Sequence, residues 1–489
     1  MHIRATTGSA RERSHRFSGP GRSVAVVTAA DPDLHSAQET STAESAPDPD
    51  GGPDPDPDPD PDPGAGPAPV PLREPRGGVP TPITTTDGLL AAAAALATGS
   101  GPVAVDAERA SGYRYGQRAY LVQVRREGSG TFLIDPVGVP DLTVLGAALA
   151  GVEWVLHAAS QDLPGLTELG MRPDTLFDTE LASRLLGLPR VGLGAVIEQV
   201  LGLTLDKEHS AVDWSTRPLP EPWLRYAALD VEVLIELRDA LHARLVEQGK
   251  LAWAREEFAA LAAAPPPGPR QDPWRRTSGL HRVRKRRQVA GVRELWLARD
   301  RLARERDTAP GRVLPDAAII EAAMALPETE EALIALPAFR GRGTRRRSGT
   351  WLGAIDRARA LAEAALPPAS LPSDGPPPAR AWHERDPLAS ARLTAARAAV
   401  AARAAELAMP TENLLSPDAL RRVVWSPPEQ ITEAAVAAAL AALGARPWQV
   451  GLTAPVIAAA METTTVPPQP LPSHALPTQA QGSGPQPAP

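Results

Sequence analysis

A short apolar run that leads into two carboxylates constrains the fold of this chain more than any other feature. Val103, Ala104 and Val105 predict a buried strand, and Asp106 and Glu108 follow as an Asp-x-Glu pair at its end. Because side chains alternate across a strand, the two carboxylates lie on the same face. Buried carboxylates need a positive partner, and a divalent metal with oxygen ligands is the usual one. The same pair also occurs on solvated strand ends, so a metal site requires further ligands from the rest of the chain.

Length and composition limit the classes of protein to consider. With 489 residues the chain is long enough for two or three domains, and the absence of cysteine excludes disulfides and thiolate metal sites and favours the cytoplasm. No apolar run approaches the ~20 residues that a membrane span needs. The net charge of −7 equals the charge of the seven aspartates between positions 48 and 62, so the remainder is about neutral and does not argue against a nucleic-acid partner.

From Pro82 onward the pattern predicts helices that alternate with strands. The predicted elements are a helix at 88–98, strands at 103–108, 118–125, 131–134 and 153–157, a helix at 141–149, and helical structure from 158 through Leu186. The first three strands form an antiparallel meander. Strands mixed with helices predict an α/β layer in which helices pack on a sheet.

Two later segments offer the missing oxygen ligands. Asp162 falls in the first turn of a helix that follows the 153–157 strand, where the helix dipole stabilises its charge whether or not it binds a metal. Pro220 opens a long amphipathic helix that continues to about Val246. Tyr226 and Asp230 lie four residues apart on this helix and therefore share one face.

This set of residues resembles the DEDDy exonucleases and, within them, the ribonuclease D family. Asp106 and Glu108 match the first motif of that family, Asp162 the second, and Tyr226-x-x-x-Asp230 the third. The resemblance covers residues 80 to 250, and three further segments match in the right order: 177–182, 192–194 and 207–219. It implies an α/β exonuclease domain with a ribonuclease H-like mixed sheet flanked by helices.

The resemblance also implies the chemistry. Two divalent ions, Mg²⁺ or Mn²⁺, are expected to bind four carboxylates and to cleave nucleoside 5′-monophosphates from an RNA 3′ end; the expected ligands are Asp106, Glu108, Asp162 and Asp230. Tyr226 is expected to orient the attacking water by a hydrogen bond, since an unperturbed phenol is too weakly acidic to act as a base at neutral pH.

Four other residues near these motifs are candidates with competing explanations. Lys207 and Arg217 are candidates for phosphate contacts, although a solvated surface role explains both equally well. His157 is a candidate substrate contact, yet a hydrogen-bonded residue at a strand end has the same pattern. Asp178 is interpreted as a helix cap.

The C-terminal half resembles HRDC domains, which are small helical bundles. Residues 289–316 carry the resemblance, and residues 399–418 repeat the same order of helix, proline, leucine and aspartate. The expected organisation is a disordered Pro/Asp-rich region at 1–80, an exonuclease domain at 81–262, a linker at 263–280, an HRDC domain at 281–366, a linker at 367–380, a second, degenerate HRDC-like domain at 381–461, and a disordered tail at 462–489. Arginine clusters at 282–287 and 340–347 are either RNA contacts or a solvated charged face.

The predicted function is a monomeric, metal-dependent 3′-5′ exoribonuclease whose substrates are RNA 3′ ends, among them tRNA precursors. Two alternatives stay open from the sequence. Related proofreading domains share the motifs and act on DNA, and a catalytically idle RNA-binding scaffold would keep the same residues without activity.

Overall fold

The computed structural model describes residues 68–464 apart from 206–208, 210, 267 and 372–374. The Pro-Asp tract, most of the predicted C-terminal tail and Lys207 lie outside the described residues. Residues 70–79 belong to the region predicted as disordered, and here that prediction is wrong. Strand β1 (Val70–Pro71) pairs in parallel with Leu203–Thr204, and Arg76 forms an ion pair of 2.5 Å with Glu236. Composition alone does not reveal these contacts with distant residues.

A five-stranded mixed sheet forms the first part of the chain. Its strands are β2 (Ser100–Arg109), β3 (Ala119–Glu127), β4 (Gly130–Ile134), β5 (Glu153–Leu156) and β6 (Thr175–Asp178), in the spatial order β4-β3-β2-β5-β6. The β2-β3 and β3-β4 pairs are antiparallel, whereas β5 and β6 join in parallel. The predicted meander is confirmed, and β2 lies at the centre of the sheet.

Alternation along β2 sends its side chains to two different cores. Val103, Val105 and Ala107 pack with the helices on one face. Ala104 packs with residues of the opposite face, so Asp106, two positions further along, also points to that side. The strand continues to Arg109 and does not end at the carboxylates as predicted, because β3 still pairs with it there.

Helices cover both faces of the sheet. They are α1 (Thr86–Thr98), α2 (Thr143–Ala148), α3 (Leu163–Glu168), α4 (Thr179–Leu185), α5 (Leu193–Leu201), then, after the short strand β7 (Leu203–Thr204), α6 (Glu221–Glu232), α7 (Leu234–Glu247) and α8 (Leu251–Ala263).

Two sequence predictions fail in this region. The stretch predicted as helical through Leu186 contains β6, whose four residues pair with β5 along their whole length. The long helix predicted from Pro220 to Val246 is interrupted at Val233, whose backbone leaves the helical conformation. The two halves share β2 and otherwise follow different partners, since α6 also packs on β3 and β4 whereas α7 also packs on β5, α4 and α5.

Two helical regions follow. The first contains α9 (Arg286–Glu305), α10 (Pro310–Val313), α11 (Asp316–Ala325), α12 (Glu330–Ala335), α13 (Arg342–Arg345) and α14 (Ser348–Ala360). The second contains α15 (Trp382–Arg385), α16 (Pro387–Glu406), α17 (Thr411–Leu414), α18 (Pro417–Trp425), α19 (Glu433–Ala442) and α20 (Pro447–Glu462). This architecture confirms the predicted class, an α/β layer followed by helical domains.

The two helical regions repeat one order of elements. In each, a 20-residue helix is followed by a residue with positive φ, a four-residue helix and then a further helix. The positive-φ residues are Asp307 in the first region and Ala408 in the second, with φ of 45° and 46°. The order noticed in the sequence therefore corresponds to a repeated backbone path.

Both helical regions contact the first part of the chain, one at the β2-β3 loop and the other at α8. Asp307 accepts a hydrogen bond from the backbone N–H of Tyr115 in the β2-β3 loop, and its carboxylate lies 3.3 Å from Arg118. On another side, Trp448 of α20 stacks on Trp253 of α8 with ring centroids 5.3 Å apart. None of the helices among the described residues is long and apolar enough to cross a membrane.

Candidate metal centre and active site

The central strand β2 and the helix α6 bring three carboxylates together. Asp106 and Glu108 come from β2, and Asp230 comes from α6, which packs against that strand. One carboxylate oxygen from each of the three lies within 4.8 Å of the others. Pro222 in the first turn of α6 fits there because its missing N–H has no helical partner to lose. The two motifs predicted from spacing therefore meet at one point.

Asp162 lies beside this cluster, at the start of α3. Its side chain is 7% exposed, makes no capping hydrogen bond and lies 3.7 Å from a guanidinium nitrogen of Arg109. A helix-capping role does not explain the side chain, because the capping contact is missing. After burial, Asp106 and Asp230, its charge also raises the pKa of Glu108, although Asp162 is not within the same 4.8 Å group.

Burial raises the pKa values of all four carboxyl groups, and repulsion by neighbouring carboxylates raises those of Glu108, Asp162 and Asp230 further. For Glu108, burial is the largest cause, followed by the charges of Asp106, Asp230 and Asp162. For Asp230, burial and then Asp106 raise the pKa, and the same two causes act on Asp162. For Asp106 itself, burial is the main cause. A site with this excess of negative charge favours either protons or added cations.

Arg109 is the cation that opposes this repulsion. It follows Glu108 directly on β2 and lowers the pKa values of Asp106, Glu108 and Asp162. One guanidinium does not balance four carboxylates, so the set keeps a negative charge that suits divalent cations. Sequence reasoning missed Arg109, although its position next to the Asp-x-Glu motif was a usable signal.

Gln123 supports the fit of a cation with water ligands. It lies directly opposite Asp106 in the β2-β3 register and is completely buried. Neither its amide oxygen nor its amide nitrogen has a hydrogen-bond partner among the described residues. A buried amide without partners is costly, so a polar group beside Asp106 would relieve the cost. The hard oxygen donors and this amide together fit a divalent ion. In the sequence, Gln123 is the one polar residue within the apolar run from Leu121 to Val124.

Tyr226 lies one helical turn before Asp230 and is half-buried. Burial and the charges of Asp230, Glu108 and Asp106 raise the pKa of its hydroxyl, which also hydrogen-bonds to Asp230. The phenol is therefore protonated at neutral pH in the metal-free protein. It lies where a hydrogen-bond donor next to the carboxylates was predicted.

His157 and Asp178 hold the turn that precedes Asp162. The Nδ1 atom of His157 lies 2.9 Å from the Thr179 hydroxyl, and burial lowers the pKa of His157 to about 4. Asp178 caps α4, as predicted, and its carboxylate also accepts hydrogen bonds from the N–H groups of Ala158 and Ala159. Burial raises the pKa of Asp178 to about 6. Ala158 has a positive φ of 57°, so these bonds hold a strained turn in place.

Arg217 has a structural role that contradicts the predicted phosphate contact. Its Nε and Nη2 atoms bind both carboxylate oxygens of Asp135 at 2.6 and 2.7 Å. Its remaining N–H groups donate to the backbone carbonyls of Tyr120, Trp214 and Thr216. All five N–H donors of a guanidinium are thus occupied by protein acceptors, which leaves none for a phosphate.

Comparisons with known proteins decide the family. The family model described as a 3′-5′ exonuclease matches residues 80–246. The ribonuclease D of Gluconacetobacter diazotrophicus is 32% identical over 319 residues, which cover 63% of this chain and 80% of that protein. The chain belongs to the ribonuclease D family. The resemblance inferred from the motifs is thereby confirmed, and the protein is a 3′-5′ exonuclease.

The C-terminal regions and solved structures agree with this assignment. An HRDC domain model matches residues 288–355, and a model described as a 3′ to 5′ exonuclease C-terminal domain matches residues 375–461. A crystal structure of a protein from Bifidobacterium adolescentis is 41% identical, with a TM-score of 0.73, and covers 81% of this chain and 100% of its own. The crystal structure of Escherichia coli RNase D, described as an exoribonuclease involved in structured RNA processing, is 28% identical, with a TM-score of 0.57; the match covers 74% of this chain and 98% of that one.

Proposed function

We propose that this ribonuclease D family member is a divalent-metal-dependent exoribonuclease that shortens RNA from the 3′ end and releases nucleoside 5′-monophosphates. The observation that carries the proposal is the cluster of Asp106, Glu108 and Asp230, whose oxygens approach within 4.8 Å on the buried face of the sheet. The description of the E. coli relative as an exoribonuclease for structured RNA supports RNA as the substrate, with tRNA precursors as the expected class.

The residues that would hold two Mg²⁺ or Mn²⁺ ions are Asp106, Glu108, Asp162 and Asp230. When bound, such ions supply a water activated as a nucleophile at neutral pH and stabilise the charge on the attacking and leaving oxygens. Asp106 is central among these residues, because its charge raises the pKa values of the three other carboxyl groups.

Tyr226 would orient the attacking water. An ordinary phenol has a pKa of about 10 and is a hydrogen-bond donor at neutral pH, so it can position a water without removing its proton. The hydrolysis forms a bond between the water oxygen and phosphorus and breaks the bond from phosphorus to the 3′ oxygen of the preceding nucleotide. That oxygen receives a proton, and the new RNA end carries a 3′ hydroxyl.

The arginines of the first helical region support binding of an RNA backbone. Arg286 and Arg287 donate to backbone carbonyls between residues 358 and 366, so this part of the 282–287 cluster is structural. By contrast, Arg342, Arg345 and Arg346 are exposed and have no ion pair among the described residues. Unpaired arginines on one short helix and its C-terminal end favour contact with phosphates.

This second arginine cluster lies near the seam with the exonuclease sheet. Burial lowers the pKa of Arg347 most, and the charges of Arg306 and Arg346 lower it further, so the three guanidinium groups are neighbours. Arg306 is followed by Asp307, which contacts the β2-β3 loop. That loop begins just after the carboxylates of β2. An RNA backbone bound to the arginines would therefore lie on the side of the first helical region that adjoins the β2-β3 loop.

The test uses the full chain with Mg²⁺ or Mn²⁺ and 3′-labelled RNA and DNA of one sequence. We expect mononucleotide release from RNA, and we expect Asp106→Asn to reduce it by at least about a hundredfold. Asp239→Asn, an exposed aspartate on α7, is the matched control and keeps the wild-type rate. Unchanged release by Asp106→Asn refutes the site. Faster release from DNA supports the DNA-directed alternative, and RNA binding without any release supports the idle scaffold.

A further inference from the structure

Residues 70–79, called the strap below, contact the catalytic helix α6 although they precede the exonuclease match. The match to the 3′-5′ exonuclease model begins at residue 80. At one end of the strap, β1 pairs with β7. At the other end, Val79 packs against the apolar cluster that contains Leu224 of α6. Both ends of the strap are therefore anchored, and the residues between them are held beside α6.

Arg76, in the middle of the strap, contacts both sides of the interruption between α6 and α7. Its guanidinium forms an ion pair of 2.5 Å with Glu236 on α7, and it lies 3.8 Å from the carboxylate of Glu232, the last residue of α6. The backbone N–H of Arg76 donates to the same Glu232 carboxylate at 3.3 Å. One residue thus links two helices whose continuity breaks at Val233, and the link fixes the direction in which α6 ends.

The Glu232 carboxylate depends on this contact because it is buried. Its side chain is 1% exposed, and the other cation that pairs with it among the described residues is Arg125 of β3, at 3.7 Å. One of its two oxygens has no hydrogen-bond partner in the described part of the chain. A buried carboxylate needs positive and hydrogen-bonding partners. Loss of Arg76 should therefore disturb the end of α6 more than loss of an exposed ion pair would.

The same end of α6 carries a proposed metal ligand. Asp230 lies two residues before Glu232, within the last turn of the helix. The last carbonyls of a helix lack intrahelical partners, so a terminal turn frays unless other contacts hold it. Asp106 and Glu108, by contrast, lie on the central strand, where both pair with β3. The position of Asp230 relative to them therefore depends on the contacts that hold this turn.

A second contact between the strap and α6 lies nearer the start of the helix. Glu74 forms an ion pair of 3.0 Å with Arg225, which immediately precedes Tyr226. Both partners are well exposed, so the pair contributes little stability by itself. It places the strap alongside α6 from the turn that carries Tyr226 to the turn that carries Asp230.

We propose that the strap positions Asp230 for catalysis, and that Arg76 is the positioning residue that acts through Glu232 and the α6-α7 junction. The inference rests on the proposed function, because Asp230 is one of the proposed metal ligands. Arg76 acts through the helix and not by contact with RNA. Its loss should therefore lower the affinity for the metal and the rate of the chemical step more than the affinity for RNA.

The test measures metal affinity without catalysis. Mn²⁺ is titrated into full-length protein without RNA, and electron paramagnetic resonance of the free ion gives the dissociation constant and the number of sites per chain. We expect Arg76→Ala to weaken Mn²⁺ binding about tenfold, as changes to groups that orient metal ligands do. Arg76→Lys restores a cation and should recover most of the affinity. The matched control is Arg73→Ala, which removes an exposed arginine of the strap with no ion pair among the described residues and should leave the affinity unchanged.

The same titration distinguishes positioning from a general loss of stability. An unfolded fraction lowers the number of Mn²⁺ sites per chain but not the affinity of the folded molecules, whereas a displaced Asp230 lowers the affinity. With 3′-labelled RNA, Arg76→Ala should lower kcat about tenfold and change KM by less than about twofold. Glu236→Gln removes only the partly exposed end of the bridge, so it should fold as the wild type does and weaken Mn²⁺ binding about threefold.

Three results would overturn the inference: wild-type Mn²⁺ affinity in Arg76→Ala, equal weakening in Arg73→Ala, or no recovery in Arg76→Lys. If Arg76→Ala does not fold, wild-type affinity in Glu236→Gln overturns it instead. RNA cleavage by the wild type tests the proposed function separately. Failure to release mononucleotides refutes that function, while the Mn²⁺ comparison still decides the role of the strap. Normal release by the wild type and by Arg76→Ala alike refutes only the strap.

Discussion

Alanine substitutions at two glycines with positive φ, Gly187 and Gly202, distinguish the cost of backbone strain from the cost of a steric clash between domains. Gly187, after α4, has φ of +73°, and a Cβ placed there would lie 2.2 Å from the carbonyl oxygen of Ala408 in the second helical region. Gly202, after α5, has φ of +66°, and a Cβ there would meet nothing within 4 Å. An alanine at either position carries the strain of the left-handed region, but only Gly187→Ala also pushes against another domain.

The expected costs follow from these distances. A residue with a Cβ in the left-handed region lowers the free energy of unfolding by about 1 to 2 kcal/mol. We expect this loss, and no further one, for Gly202→Ala. Close carbon-oxygen contacts lie at about 3.3 to 3.6 Å, so Gly187→Ala must displace Ala408 by about 1 Å. Overpacking of this kind costs about 1 to 3 kcal/mol more. The displacement also strains the hydrogen bond of 3.4 Å from Lys250 Nζ to the Ala408 carbonyl.

The clash with Ala408 weakens the docking of the second helical region. The assay must therefore report on the stability of that contact and not on global unfolding. Hydrogen exchange of peptides from α8 and α20 reports on the stacked pair Trp253 and Trp448, with about tenfold faster exchange for each 1.4 kcal/mol of lost protection. We expect faster exchange in both helices for Gly187→Ala and wild-type exchange there for Gly202→Ala. Equal exchange in the two variants would refute the argument that this contact secures the docked domain.

Three further changes test the site and its surroundings. Asp178→Asn replaces a carboxylate that accepts backbone N–H bonds on both oxygens, so the turn before Asp162 should loosen and kcat/KM should fall about tenfold or more. Burial lowers the pKa of His157 from its ordinary value of 6.5 to about 4. His157 is therefore protonated below pH 6.5 in the unfolded chain, but only below about pH 4 in the folded chain. The neutral imidazole therefore costs no free energy of unfolding above pH 6.5, and stability falls as the pH drops below that value. In denaturant titrations, the free energy of unfolding of the wild type should fall by about 2 kcal/mol relative to that of His157→Asn between pH 7 and pH 5. Arg346→Ala should lower the slope of log K for RNA against log salt by about 1, whereas Arg397→Ala, on an exposed face of α16, should leave it unchanged.

Local periodicity was sufficient to predict which face of its element each of three carboxylates occupies, whereas their role as a set, and Asp162 with them, came from the family resemblance. Alternation along a strand placed Asp106 and Glu108 on one face, and helical spacing placed Tyr226 one turn before Asp230. Both rules depend only on backbone geometry, which neighbouring elements do not change. Asp106, Glu108 and Asp230 therefore lie close together even though β2 extends past its expected end and the helix that carries Asp230 stops at Glu232.

Tertiary contacts decided the features that the sequence analysis missed. The four residues of β6 are too few to outweigh the helical pattern on either side, and they form a strand because β5 offers a parallel partner. Arg217 matched a family segment, but the segment did not reveal Asp135, which binds its guanidinium 82 positions earlier in the chain. The segment at 70–79 carries apolar and charged residues whose partners lie more than a hundred positions away.

The position of each group in the fold separates the chemistry from the choice of substrate. Asp106 and Glu108 are fixed by the central strand, and Asp230 by a helix packed on it, so none of them can move without disturbing the core. Arg342 and Arg346 lie at the ends of the short helix α13 and are exposed, so their replacement disturbs less packing. A change at the periphery can therefore alter which 3′ ends bind while the carboxylates keep their geometry. This separation predicts that peripheral variants change KM more than kcat, whereas carboxylate variants change kcat.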